Sequence, residues 1–247
     1  MTRRALVTGG SAGLGGALAA ELAGAGFTVV SVDRTPPDHT GGVVHVECDL
    51  ARREAVDRAL PAILAAGPYD HLFFNAGANA TGAFAGLPAE TAARLMTLNA
   101  ETPMVLASML VREDAVRSGM CFVSSLSHFT GYPGAAAYAA SKDALAVYAK
   151  SIRGPFGRRG ISVTLACPGP LRTEHARRHA PEGADEARRM PPEVAARAIV
   201  AAALAGRRLV IPGAGPKLFA LAGVLFPAIT ARQMRRLVYE KLGGPVW

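Results

Sequence analysis

Tyr138-Ala-Ala-Ser-Lys142 places a phenol and an amine four residues apart near the start of a segment with helical periodicity. That spacing stacks both side chains on one helix face, about 5–6 Å apart. An ammonium held beside a phenol lowers its pKa, so the hydroxyl can exchange a proton near neutral pH. The pair alone is a common accident of helical sequences. Ser125 gives it weight, because it ends an apolar, strand-like run upstream of Tyr138. Sites in α/β sheets gather at such strand ends. A serine hydroxyl there can hold a substrate oxygen while the phenol gives or takes the proton of an alcohol or carbonyl. No serine sits in a G-x-S-x-G elbow, so a hydrolase triad has no support.

A second cluster lies at the front of the chain. The run Thr8-Gly9-Gly10-Ser11-Ala12-Gly13-Leu14-Gly15 follows the strand-like Ala5-Leu6-Val7 and precedes the helical Ala17–Ala25. A helix N-terminus offers unpaired N–H groups, and glycines let a pyrophosphate approach the backbone. Gly9, Ser11, Gly13, Leu14 and Gly15 are therefore candidate dinucleotide contacts. Asp33 closes the second strand candidate. A carboxylate there can accept ribose hydroxyls and repels a 2′-phosphate, which favours NAD over NADP. Arg34 argues the other way, because its guanidinium could hold that phosphate.

These residues need elements to position them. Short apolar runs at Ala5–Thr8, Phe27–Val32, Val43–Val46, His71–Phe74, Met120–Ser124, Ile161–Ala166 and Leu209–Ile211 read as strands. Helix-period segments near 14–25, 51–66, 89–112, 136–153 and 192–205 lie between them. Alternation of this kind predicts one α/β domain over 1–247, a doubly wound parallel sheet (a Rossmann fold) of about seven strands with helices on both faces. The stretch from Asp33 to Gly42 carries two prolines and two glycines, so a loop is expected there. An Arg-rich segment at 172–190 reads as a substrate lid. Residues 213–247 read as an apolar and basic helical tail that caps the cleft or packs on a partner subunit. Its apolar run, Leu218–Ile229, is broken by Pro227 and too short to span a bilayer. Contact with a membrane surface is the lesser alternative.

Composition narrows the classes. The chain has 247 residues, of which 50% are hydrophobic and 19% charged, which suits one well-filled domain and excludes disorder. Three scattered cysteines, Cys48, Cys121 and Cys167, exclude a disulfide scaffold and a zinc motif and read as buried thiols. With no apolar leader before the first motif, the expected compartment is the cytoplasm. The net charge of +8 is uneven: residues 1–149 carry 10 basic and 13 acidic side chains, residues 150–247 carry 17 and 6. The arginines are scattered and lack interleaved aromatics, so a solvated surface is preferred to nucleic-acid binding. His175 and His179 have helical metal spacing but no third ligand in view, so no metal is expected. His128, Asn79, Leu126, Ser127, Tyr132 and Leu171 are cleft candidates by position.

Taken together, Thr8–Gly15, Asn75-Ala76-Gly77, Asn99, Ser125, Tyr138, Lys142 and Pro168-Gly169 with Thr173 resemble the short-chain dehydrogenase/reductase family in order and spacing. The resemblance spans roughly residues 3–212, in the single-domain TGxxxGxG branch. It implies that Tyr138 is the general acid or base and Ser125 its partner on the carbonyl. Lys142 would hold the nicotinamide ribose and tune Tyr138, and Asn99 would anchor a relay water. Asp49 and Leu50 would contact adenine. Asn75, Ala76 and Gly77 would stiffen the sheet beside the cofactor, and Pro168, Gly169 and Thr173 would close on the nicotinamide side. The implied function is hydride transfer between NAD and a small alcohol or carbonyl compound, in a homodimer or homotetramer built on helices 89–112 and 136–153. The competing readings are an NADPH-dependent reductase of 3-oxoacyl-type substrates and a nucleotide-sensing scaffold without chemistry. Two residues depart from the family pattern: Phe74 stands for the first of two asparagines before Ala-Gly, and Phe122 for an asparagine ahead of the serine pair.

Overall fold

The computed structural model describes residues 2–37 and 43–246. Seven strands form one parallel sheet: β1 (Arg3–Thr8), β2 (Phe27–Asp33), β3 (Val43–Glu47), β4 (Tyr69–Phe74), β5 (Val116–Val123), β6 (Ser162–Ala166) and β7 (Leu209–Val210). Their spatial order is β3-β2-β1-β4-β5-β6-β7. The order reverses between β1 and β4, and an open parallel sheet binds ligands beyond its strand ends at such a point. The expected doubly wound α/β architecture is the one observed. The loop expected over 33–42 falls partly on residues 38–42, which lie outside the described residues.

Alternate strand residues feed two cores, as a sheet covered on both faces requires. Leu6, Leu72, Phe74, Met120, Phe122 and Leu165 point to one side. There they meet α2 (Arg53–Ala65), α4 (Thr102–Arg112) and α6 (Ala136–Gly157). Ala5, Val7, Phe73, Cys121 and Val123 point to the other. They meet α1 (Gly13–Gly24) and α8 (Pro192–Leu204). α1 buries Gly15, Leu18, Ala19 and Leu22, one stripe at helical spacing. Each large apolar side chain buried this way contributes about 1.5–3 kcal/mol.

The helix expected over 89–112 is interrupted. It consists of α3 (Ala89–Met96), a π-helical turn over Thr97–Glu101, and α4. Single π turns inside helices concentrate at functional positions, and this one carries the buried Asn99. The segment 172–190 forms the short α7 (Glu174–Arg178) and a 3₁₀ turn. The tail folds as α9 (Ala214–Leu225) and α10 (Pro227–Leu237), bent at Phe226. Both pack against α5 (Ser127–Thr130). A Cβ on Gly223 would sit 2.3 Å from the Phe129 carbonyl oxygen, so only glycine allows this approach. Among the described residues, no helix is long and apolar enough to cross a membrane.

Candidate active site

A cleft of about 1330 Å³ runs along the C-terminal ends of the strands. The glycine loop forms its floor at one end. Gly9 adopts φ +68°, and a Cβ on it would lie 2.9 Å from the Ala76 Cα. A Cβ on Gly15 would lie 1.7 Å from the Gly9 carbonyl oxygen. Both positions therefore exclude any side chain. Thr8 and Asn75 brace the loop from β1 and β4. The Thr8 hydroxyl accepts the Asn75 and Ala76 backbone N–H groups at 3.0 and 3.1 Å. The Asn75 amide donates to the carbonyls of Thr8 and Gly9, each at 3.2 Å.

No side chain caps α1, whose N-cap is Ala12 and whose first turn holds no acidic residue. Its leading amides are left for an anion over the glycine cradle. Asp33 lies at the neighbouring strand end, where its carboxylate accepts the Ser11 and Arg34 N–H groups at 3.1 and 2.7 Å. Asp49 and Leu50 line the same end of the cleft, as does Arg34. A bare glycine cradle beneath a free helix N-terminus, flanked by a carboxylate, fits the dinucleotide that the sequence implies.

Ser125, Tyr138 and Lys142 line the other half. The Ser125 hydroxyl accepts the Ser127 N–H at 3.2 Å and lines the cleft with Tyr138. Burial raises the Tyr138 pKa, and the nearby Ser125 hydroxyl partly opposes that rise. The sequence argument had the Lys142 ammonium lowering it. Lys142 is instead strongly desolvated, and burial pushes its pKa down to about 8. Its amine donates to the Val123 carbonyl at 2.9 Å, so the backbone of β5 takes up its charge. A Cβ on Gly77 would come within 2.9 Å of that amine. A side chain at Gly77 would therefore push the amine from this position.

Asn99 is fully buried and does not line the cleft. Its amide oxygen accepts the Ala78 N–H at 2.9 Å, and its nitrogen donates to the Ala78 carbonyl and the Ser141 hydroxyl, each at 2.9 Å. Ser141 donates in turn to the Tyr138 carbonyl at 2.7 Å. Asn99 thus ties the loop after β4 to the helix that carries Tyr138 and Lys142. Every other residue expected to bind or react lines the cleft, with Pro168, Gly169 and Thr173 on the side of residues 172–190.

Of the cleft candidates chosen by position, Asn79, Leu126, Ser127, Tyr132 and Leu171 line it. His128 does not: it bonds to the Asp143 carboxylate on one edge and lies 2.8 Å from the Lys150 amine on the other. His175 and His179 place their rings 4.9 Å apart, and His179 Nδ1 lies 3.1 Å from the Thr81 hydroxyl. Among the described residues, no cluster of three metal-ligating side chains exists. Cys48, Cys121 and Cys167 are all free and buried.

The sequence reading gave the tail as a cap on the cleft or a partner contact but named none of its residues. Pro216 and Phe219 of α9, Met234 of α10, and Val238 line the cleft. Beyond them the chain pairs Val246 with Thr81 through two backbone hydrogen bonds, 2.8 and 2.9 Å long. The Lys241 carbonyl accepts the Glu182 N–H at 2.8 Å.

The sheet order, the glycine cradle and the Ser125–Tyr138–Lys142 group define a Rossmann-fold oxidoreductase architecture. The short chain dehydrogenase family model matches residues 3–183, and the chain belongs to that family. An uncharacterized oxidoreductase of Myxococcus xanthus is 35% identical over 188 residues, covering 70% of this chain and 73% of the relative. The 3-oxoacyl-(acyl-carrier-protein) reductase MabA of Mycobacterium tuberculosis is 31% identical, covering 72% of each chain. A short-chain dehydrogenase of Sphingobium yanoikuyae, solved in complex with NADPH, superposes with a TM-score of 0.75 at 25% identity, covering 94% of each chain.

Proposed function

We propose that the chain interconverts an alcohol and a carbonyl group on a small, largely apolar molecule, using a nicotinamide dinucleotide. The observation that carries this reading is the convergence of Ser125, Tyr138 and the buried Lys142 in the one cleft that also holds the glycine cradle. Gly9, Ser11, Gly13, Leu14 and Gly15 would hold the pyrophosphate, Asp33 a ribose, and Asp49 and Leu50 the adenine. Lys142, Asn75–Gly77, Pro168, Gly169 and Thr173 would surround the nicotinamide end. When bound, that group supplies or accepts the hydride.

The protein's part is position and the proton. In the reducing direction, Ser125 donates a hydrogen bond to the substrate oxygen while the Tyr138 hydroxyl delivers its proton to the same atom. In the oxidising direction, the Tyr138 oxygen takes the proton from the alcohol. Lys142, one helical turn from Tyr138, would hold the nicotinamide ribose, and Asn99 fixes the helix that carries both. Leu126, Met190, Phe219 and Met234 give the substrate end an apolar wall, which excludes water and favours apolar substrates.

Asp33 supports NAD as the partner, since a second negative charge beside its carboxylate is costly. A second reading, an NADPH-dependent reductase of 3-oxoacyl-type substrates, draws on the MabA relative and the NADPH-bound neighbour. Helices α4 and α6 are the faces the family pattern gives to a homodimer or homotetramer. The test is a carbonyl panel run with NADH and NADPH separately, alongside nucleotide binding followed by fluorescence. Turnover of apolar carbonyls with NADH is expected. Binding without turnover across the panel would replace the reading with a nucleotide-sensing scaffold.

A further inference from the structure

The inner faces of α9 and α10 are used up by the cleft and α5, but their outer faces are not. Leu218, Leu221, Val224, Leu225, Phe226 and Ile229 are each more than half exposed. Isolated surface leucines are ordinary, whereas a contiguous apolar face on two successive helices marks a contact surface. Leu218, Leu221 and Leu225 recur at i, i+3 and i+7, one stripe of α9. The stripe runs into the bend at Phe226 and on to Ile229 in the first turn of α10. On α10, Ile229, Arg232 and Arg236 repeat the same spacing, so the arginines lie on the outward side behind the apolar bend.

Charge completes the picture. Residues 214–246 carry Lys217, Arg232, Arg235, Arg236 and Lys241 against Glu240 alone. Glu240 is already paired with Arg235 at 3.1 Å. At 1.5 Å per residue, Arg232 stands about 9 Å back from Phe226 along α10, and Lys217 about 13 Å back along α9. Interfacial helices bury their apolar side chains about 5–10 Å deep, with cations at the headgroups. The bend therefore has the depth of an apolar wedge with a cationic collar. A second copy of this chain fits the face poorly. A twofold contact would set Arg232 and Arg236 near their own counterparts, with no free carboxylate on the tail to separate them.

We propose that the α9–α10 face docks on an anionic lipid surface, with Val224–Ile229 entering the interface and Lys217, Arg232 and Arg236 resting on the headgroups. The helices that touch lipid are then the ones whose inner side chains wall the cleft. This inference stands on exposure and charge alone and does not depend on the reaction proposed above.

The test is flotation of the full-length protein with vesicles of phosphatidylcholine alone and of equal parts phosphatidylglycerol and phosphatidylcholine. Binding to the anionic vesicles is expected, weakening steeply as salt rises to about 0.5 M. Arg232→Gln and Arg236→Gln should each weaken it about fivefold. Leu225→Asp with Phe226→Ser should abolish it. Circular dichroism and Tm, checked on each variant, exclude unfolding as the cause. Three outcomes would overturn the proposal: failure of the unaltered chain to bind anionic vesicles, equal binding to both vesicle types, or unchanged binding by the Leu225 and Phe226 variant. If sedimentation velocity then showed a dimer dissociated by that variant, the face would belong to a second copy.

Discussion

Phe74 and Phe122 stack nearly parallel, their ring centroids 4.9 Å apart, as direct cross-strand partners on β4 and β5. Both stand where the family resemblance leads one to expect an asparagine, and they lie in direct contact. Each phenylalanine fills the space beside the other, and Tyr148 meets Phe122 edge-on at 5.7 Å. Phe74→Ala or Phe122→Ala alone should cost about 3–5 kcal/mol. The double variant should fall short of the sum by about 0.5–1.5 kcal/mol, the energy of the aromatic pair itself. Urea unfolding of the four proteins measures this directly.

Tyr138→Phe removes the proton and leaves the shape. Turnover should drop by about 10²–10⁴-fold, the usual worth of a positioned acid or base. Nucleotide affinity should stay within a few fold. Steady-state rates and equilibrium binding on the same preparation separate the two effects.

Lys142 is a buried amine held by one carbonyl, with its pKa pushed down to about 8 by burial from an ordinary value of 10.5. Between those values the unfolded chain binds the proton and the folded chain does not, so stability rises with pH across about 8 to 10.5. Lys142→Met should abolish that rise and increase stability near neutral pH by about 1 kcal/mol, or roughly 2–4 °C in Tm. Activity should fall in the same variant. A loss of stability at pH 7 would show that the amine supports the fold as well as the chemistry.

On the proposed reading, Asp33 chooses between the two dinucleotides. Asp33→Asn keeps the shape and removes the charge that repels a 2′-phosphate. The ratio of the Kd for NADH to that for NADPH should move toward NADPH by about tenfold or more, on the order of 1.4 kcal/mol. An unchanged ratio would pass the role to Arg34.

His179 is pushed down to about 4, mainly by burial and then by the neighbouring His175 and Arg178. The unfolded chain therefore takes up this proton first. The imidazole's effect on stability is constant above about pH 6.5, and stability is lost as pH falls from there toward 4. His179→Gln should flatten the acid limb of a Tm profile recorded from pH 7 to 5.

The central strands and their helices were readable because alternate apolar residues serve two cores, which leaves unbroken runs such as His71–Phe74. The break in the helix over 89–112 was not readable. A π turn is a one-residue shift inside continuous helix, and no glycine or proline marks it within Thr97–Glu101, so the segment looks like ordinary helix. The glycine loop could be placed because its pattern is local, a glycine run between strand-like Ala5–Val7 and helical Ala17–Ala25, although Gly9 is held to glycine by Ala76 on the neighbouring strand's loop. His128 misled because proximity in sequence to Ser125 says nothing about ring direction, and Asp143 and Lys150 hold the ring away. The wall made by Phe219, Met234 and Val238 depends on contacts across the whole fold, and no local spacing announces them.

The pairing of Val246 with Thr81 bears on how the molecule is made. Synthesis runs from the N-terminus, so the glycine loop and Tyr138 are made well before the segment that reaches Val246. Until that segment folds back onto Thr81, the groove stands uncovered on this side.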